Sequence, residues 1–305
     1  MSRTFSPTDA ALEGFRILRR RPDVLVIWAG LVVLAAAVGL GLVWSVLAPD
    51  FGSLVTALQA RVSPGVLQPL AEKVRGTQLL LTPLTATLHA VLGAAVLRAV
   101  LRPDSRSFGY LGFGGDEFRM FLIQMVSGLV LAGAMIAWVL FVVTFTAIGI
   151  AAAGIHSAEI GKAILWAVII GVGFGGGGMI YLAIRLSLAA PMTFMAGDFR
   201  FFESWTQTRG QVWRLAGTYV LAYFLYLVAS LALLVVGIVL GGLVFIASGG
   251  PAVVANHGDA LALARMAWPA VLVGLAPVSV ASVIGAVVLQ APAARALKSM
   301  TQDVD

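Results

Sequence analysis

The chain has 305 residues, 60% of them hydrophobic and only 11% charged, and no cysteine. A soluble domain carries about 25% charged residues, and the mean hydropathy here is +0.99, which excludes a soluble globular protein, while the missing cysteine excludes disulfides and thiol chemistry. The net charge of +6 sits in residues flanking the apolar runs, a pattern that suits anionic lipid headgroups and not nucleic acid.

The N-terminal segment, residues 1–23, reads as a short helix lying on the membrane. Ser6 is placed to cap it, Pro7 suits its first position, and Asp9 falls in the first turn, where the helix dipole favours an acid. Leu12, Phe15 and Leu18 repeat at i, i+3, i+6, with Arg16, Arg19 and Arg20 off that line. Apolar runs of 18 or more residues read as membrane spans. Six occur, at about 24–47, 79–101, 120–150, 164–184, 215–247 and 267–289. The first exceeds the roughly 7–15 residues of a signal-peptide core, so an uncleaved anchor is expected. The expectation is therefore a single all-α domain over residues 1–305, a polytopic membrane protein of six helices with amphipathic interfacial helices.

Residues 50–78 form the longest loop on the side away from the termini. "FGSLVTALQARV" and "VLQPLAEKVRG", separated by "SPG", predict two short surface helices. His89 is the only ionisable residue near a span centre, with Thr82, Pro83, Thr85 and Thr87 close by. Two readings stay open: a neutral His bonded to another helix or to a carbonyl freed near Pro83, and a polar site in a pore or proton path. His156 and Glu159 at i, i+3 are too few for a metal by themselves. Only a joining of their loop with that of His257 and Asp259 supplies enough ligands. In the fourth span "GVGFGGGGM", residues 171–179, lacks the Lys-Ser/Thr of a phosphate loop. Its glycines suit close helix packing or a break lining a cavity.

Spans two, four and six each run into an Arg-bearing segment with a nearby proline: "VLRAVLRPDSR", "AIRLSLAAPM" and "LQAPAARALK". Three two-helix units are one reading of this pattern, and repeats are common in transporters. Between spans four and five, Asp198 is placed to cap an interfacial helix starting near Phe199. Phe202, Trp205, Val212, Trp213 and Ala216 would share one face, and Arg200, Glu203, Gln207, Gln211 and Arg214 the other, with the helix interrupted or ended near Gly210. Arg185, Arg200, Trp205, Arg209, Trp213 and Arg214 are the candidate contacts for lipid headgroups or a partner; a plain membrane anchor is the alternative.

With the N-terminus in the cytoplasm, cytoplasmic segments hold fifteen Lys and Arg and the opposite side five. The positive-inside bias then predicts both termini in the cytoplasm. Arg outnumbers Lys 17 to 3, as expected of a GC-rich bacterial genome.

The stretch "RLSLAAPMTF…FFESWTQTRGQVWRLAG" carries a resemblance. Its Arg185, Leu186, Ser187, Leu188, Ala189 and Pro191, followed by Ser204, Trp205, Thr208, Arg209, Gly210 and Trp213, are similar to a bacterial family of six-span proteins named for the membrane domain of glycerophosphoryl diester phosphodiesterase. The match is sharp over about 30 residues and elsewhere rests on topology; "EGFRILRRRPDVLVIWA" and "FGYLGFGGDEFR" are similar to uncharacterised alphaproteobacterial members. The resemblance implies an inner-membrane protein and no activity of its own, because the phosphodiesterase domain fused to some members needs clustered His, Glu and Asp in a large soluble segment. This chain has three His, widely separated. No catalytic triad, carboxylate pair or HExxH pattern appears, so the chain is expected not to be an enzyme and to use no metal or cofactor. The expected activity is interaction with membrane lipids or a membrane-protein partner; the alternative is transport of a small solute or lipid.

Overall fold

The structure, a computed structural model, describes residues 5–50, 64–105, 108–153, 157–255 and 260–301. These form helices and turns, with no strand among the described residues. An interfacial helix α1 (Pro7–Arg20) leads into α2 (Pro22–Leu47), α3 (Pro64–Leu101) and α4 (Gly115–Ala153). The fourth span is composite: α5 (Ser157–Ile170), a π-helical turn over Gly171–Gly175, and α6 (Gly176–Leu186). Two short helices, α7 (Ala189–Ala196) and α8 (Glu203–Gln207), precede α9 (Val212–Ala247), α10 (Gly250–Ala255) and α11 (Ala260–Thr301). Six helices are long and apolar enough to cross a membrane. The chain is thus an all-α polytopic membrane protein, as its hydropathy predicts.

Several boundaries differ from those expected of the sequence. Residues 66–76 do not form a separate surface helix; they are the first turns of α3, which runs unbroken to Leu101. Residues 51–62, the other expected surface helix, lie outside the described residues. The sixth span does not end near 289. Helix α11 continues through Pro292 to Thr301, because Ala291, Ala293, Ala294, Ala296 and Leu297 are buried against the rest of the bundle. Burial of an Ala-rich face there outweighs the lost hydrogen bond at Pro292.

Helix α1 starts as its caps dictate: the Asp9 N–H donates to Ser6 Oγ at 3.4 Å, with Pro7 in first position. Its buried face is made of Ala10, Ala11, Gly14 and Leu18, while Leu12 is exposed. A Cβ at Gly14 would come within 3.0 Å of Val287, so the small residues let α1 settle onto α11. The packed core sits at this end, where α1, α2, α3 and α11 meet around Val24, Trp28, Leu97, Val283 and Val287. We call it the Arg end, since Arg98, Arg185 and Arg295 all lie there. Further along, α9 and α11 approach through Gly237 and Gly241. Cβ atoms at these positions would lie 3.3 Å from the Gly274 carbonyl oxygen and 3.2 Å from that of Ala270. That seam is a small-xxx-small contact, which replaces hydrophobic driving force by close van der Waals packing in lipid.

The glycine-rich part of the fourth span serves two purposes. The Trp138 indole of α4 fits into the π-helical turn and donates from Nε1 to the Gly171 carbonyl at 2.9 Å. A Cβ at Gly175 would overlap that indole at 1.7 Å, and one at Gly171 would press on Val142 at 2.8 Å. Those two glycines therefore admit α4. Gly173, Gly176, Gly177 and Gly178 face open space instead, and Gly177 lines a groove.

Candidate functional site

The last turn of α6 delivers Arg185 to the Arg end, where the side chain is buried. Three of its contacts come from the segment that follows. Nη1 donates to the Trp205 carbonyl at 2.8 Å and to Thr208 Oγ1 at 3.2 Å, and Ser204 Oγ donates to the Arg185 carbonyl at 2.6 Å. Within α6, Nε donates to Tyr181 Oη at 2.9 Å. The guanidinium also lies 4.7 Å from the centre of the Trp205 ring and 5.3 Å from that of Tyr181. The two rings meet edge to face. Each such cation–π contact contributes about 0.5–2 kcal/mol, the more so when desolvated. Nη2 has no hydrogen-bond partner, and Arg185 has no ion-pair partner, among the described residues.

This geometry explains the spacing Ser204-Trp205-x-x-Thr208-x-Gly210. Ser204 and Thr208 lie one turn apart, both fully buried, and both turn their hydroxyls to Arg185 or to each other's backbone, with Thr208 Oγ1 donating to the Ser204 carbonyl at 2.9 Å. Gly210, at φ +79, supplies the left-handed residue that turns the chain into α9.

The expected interfacial helix starting near Phe199 is not formed, although the chain does turn at Gly210, where an interruption was expected. Residues 198–202 are not helical, α8 is five residues long, and the chain turns again before α9 starts at Val212. Asp198 caps no helix; the Arg200 N–H donates to Thr193 Oγ1 at 3.0 Å instead. The reason is tertiary. Phe201 is buried against Ile123 and Ala189, while Phe202, assigned to the expected apolar face, points out. The two expected faces dissolve accordingly, and Gln211, assigned to the polar one, is buried. Of the candidate contacts, Arg185 and Trp205 come together, and Trp213 stands beside the same groove, 88% exposed. Arg200 pairs with Glu203 at 3.1 Å, as its spacing predicts. Arg209 and Arg214 are exposed and separate from that cluster. Sequence did not point to Tyr181 and Thr208 as partners of Arg185, although Tyr181 lies one helical turn before it, a spacing that places both on one face.

Arg185 closes one end of an open groove of about 510 Å³ between α6 and α9. Gly177, Ile180, Tyr181 and Ile184 form one wall, and Val212, Trp213 and Ala216 the other. Eight residues of helix separate Gly177 from Arg185, about 12 Å along the axis.

The other two even-numbered spans end in comparable arginines with different company. Arg98 of α3 donates from Nη1 to the Tyr110 carbonyl at 3.0 Å and forms ion pairs with Glu117 and, at 3.4 Å, Asp116. Gly112 leaves the room for this pair. Asp116 is shared with Arg102 and Arg119, and Trp28 Nε1 fastens the same loop by donating to the Gly109 carbonyl at 2.7 Å. Arg295 of α11 reaches Glu13 of α1 at 3.9 Å. Each of the three thus reaches toward an interfacial segment that precedes an odd-numbered span. Arg98 and Arg295 meet carboxylates; Arg185 meets none among the described residues.

His89 lines a second cavity of about 540 Å³ with Gln124, Tyr226, Ser282 and Gln290, between α3, α4, α9 and α11. Its ring makes no hydrogen bond among the described residues. Thr87 Oγ1 donates to the Pro83 carbonyl at 2.8 Å, and the His89 carbonyl accepts from Gln124 Nε2 at 3.3 Å. Gln290 Oε1 is buried without a partner among the described residues. His156, His257 and Asp259 lie outside the described residues, as does the side chain of Glu159. Among the described residues no three His, Asp or Glu side chains come together as a metal site would need.

No family model, no curated protein and no solved structure matches this chain.

Proposed function

We propose that the protein is a multi-pass protein of a bacterial inner membrane, with both termini in the cytoplasm, that works without catalysis by engaging lipids of the inner leaflet. Membership of the six-span family named for the membrane domain of glycerophosphoryl diester phosphodiesterase belongs to this reading and rests on the residues from Arg185 to Trp213. The observation that carries the function is the surface of the Arg end. Phe108, Phe113, Phe202 and Trp213 stand out from it, each more than 75% exposed; Phe202 and Trp213 are close in sequence to Arg209 and Arg214, neither of which meets a carboxylate among the described residues. Aromatic rings at headgroup depth beside such cations favour an anionic membrane surface. A membrane-protein partner would use the same surface. Extraction of the protein with its surrounding lipid into polymer nanodiscs, followed by lipid analysis, should give anionic phospholipid enriched over the bulk membrane. A composition equal to the bulk would refute the reading.

The open cleft at His89 supports a second reading, passage of a small solute or lipid. His89, Gln124, Ser282 and Gln290 line it beside Gly285, Ala286 and Leu289, within spans, where polar groups mark pathways. Solute flux into liposomes that changes with His89→Ala would favour it; absence of flux in the unaltered protein would dismiss it.

A further inference from the structure

We infer that the groove between α6 and α9 is a binding site for one anionic phospholipid, its phosphate on Arg185 and one acyl chain lying along Gly177 and Ile180. This deepens the lipid-binding reading above and rests on it. Three observations converge. The first is charge. Arg98 and Arg295 are each met by a carboxylate, but the buried Arg185 is met only by neutral groups, the Tyr181 and Thr208 hydroxyls and the Trp205 carbonyl, among the described residues. No carboxylate among the described residues neutralises that guanidinium, and Nη2 remains free to donate. Arg is suited to a phosphate diester because its planar donors match two oxygens.

The second observation is shape. The groove leads away from the guanidinium along walls of Ile180, Ile184, Val212 and Ala216, which offer hydrocarbon and no hydrogen-bonding side chain. An inorganic anion would satisfy the Arg alone and leave these walls bare, whereas a lipid fills both. The third is the glycine at the far end. An added Cβ at Gly177 would meet nothing within 4 Å, so the absent side chain is not needed for helix packing. It keeps the groove open. Trp213, beside the mouth, is positioned to flank a headgroup as interfacial tryptophans do.

The test is a titration of the purified protein followed by native mass spectrometry. The probes are dimyristoyl phosphatidylglycerol, dimyristoyl phosphatidylcholine and glycerol 3-phosphate. One phosphatidylglycerol should bind about ten-fold tighter than phosphatidylcholine, and Gly177→Trp should weaken it by about ten-fold, since the indole would occupy the chain's place. Gly178→Trp, on the same helix and also facing open space but not lining the groove, should stay within about two-fold of the unaltered protein. Arg185→Gln should erase the preference for phosphatidylglycerol. Because Arg185 also holds α8, the decisive variant is Gly177→Trp, which leaves every Arg185 contact in place. Equal phosphatidylglycerol binding by Gly177→Trp and Gly178→Trp would overturn the groove assignment while leaving lipid binding intact. Equal binding of the two lipids, or displacement by glycerol 3-phosphate at equal concentration, would overturn the ligand class. Binding of no lipid at all would overturn the broader reading as well.

Discussion

Arg185 and Trp205 are joined twice, through a 2.8 Å hydrogen bond from Nη1 to the Trp205 carbonyl and through the guanidinium lying 4.7 Å from the centre of the indole. Twenty residues separate them. The pair fastens the whole α7–α8 connection back onto the end of the fourth span, and it holds the guanidinium still at the head of the groove.

Replacing Arg185 should separate charge from geometry. Arg185→Lys keeps the charge and loses the planar fork that both hydrogen-bonds and stacks. A loss of about 1–2 kcal/mol is expected, and about 2–3 kcal/mol for Arg185→Gln, which leaves the Trp205 and Tyr181 rings without a cation. Thermal unfolding in detergent measures this. An Arg185→Lys protein as stable as the unaltered one would show that the fork is unimportant.

Gly175 and Trp138 should behave as a coupled pair. Gly175→Ala places a Cβ 1.7 Å from the Trp138 indole nitrogen, so α4 and the fourth span must part, at a cost of about 1–3 kcal/mol or more. Trp138→Ala made in the same background should recover part of that loss. Gly173→Ala, with nothing within 4 Å of its added Cβ, should be neutral or slightly stabilising. A double-mutant cycle on melting temperature reads the coupling.

The Arg98–Glu117 pair is buried, with side chains 13% and 8% exposed. Glu117→Ala leaves the guanidinium with only Asp116 and the Tyr110 carbonyl and should cost about 1–3 kcal/mol. Replacing both, as Arg98→Met with Glu117→Leu, should cost less than the single change. A double replacement more damaging than Glu117→Ala would mean that Arg98 matters chiefly through its bond to the Tyr110 carbonyl.

The chain has no cysteine, so orientation is testable by single introduced thiols. Thr301→Cys, at the Arg end, should react with a membrane-impermeant maleimide only after the cells are opened. Gln78→Cys, exposed near the far end of the second span, should react on intact spheroplasts. The reverse pattern would invert the proposed topology.

Only part of the site is legible locally, for a definite reason. Helical periodicity predicts a helix from near Phe199 with a break near Gly210, and only the break is where it was expected. Burial of Phe201 against Ile123 and Ala189, on other helices, outweighs that local preference and breaks the segment into turns around a five-residue helix. Arg200 and Glu203 pair as expected because their contact spans a single turn and is indifferent to what lies beyond it. The same limit explains α11: hydropathy falls at Gln290 and Pro292, so a window ends the span there, yet the Ala-rich turns that follow are held by α1 and α3.

The class of protein and the number of its spans follow from the amino acids alone. The cost of placing residues in hydrocarbon adds up locally along the chain, and the cap of α1 at Ser6 and the gathering of arginines at span ends are equally local. Which arginine meets a carboxylate, and which does not, is a matter of tertiary packing. Arg98, Arg185 and Arg295 look alike in sequence, but their partners come from Glu117, Trp205 and Glu13 on different elements. Ion pairs and grooves depend on which helices meet, and that depends on the packing of small residues such as Gly14, Gly175 and Gly237, whose contacts lie far away in sequence.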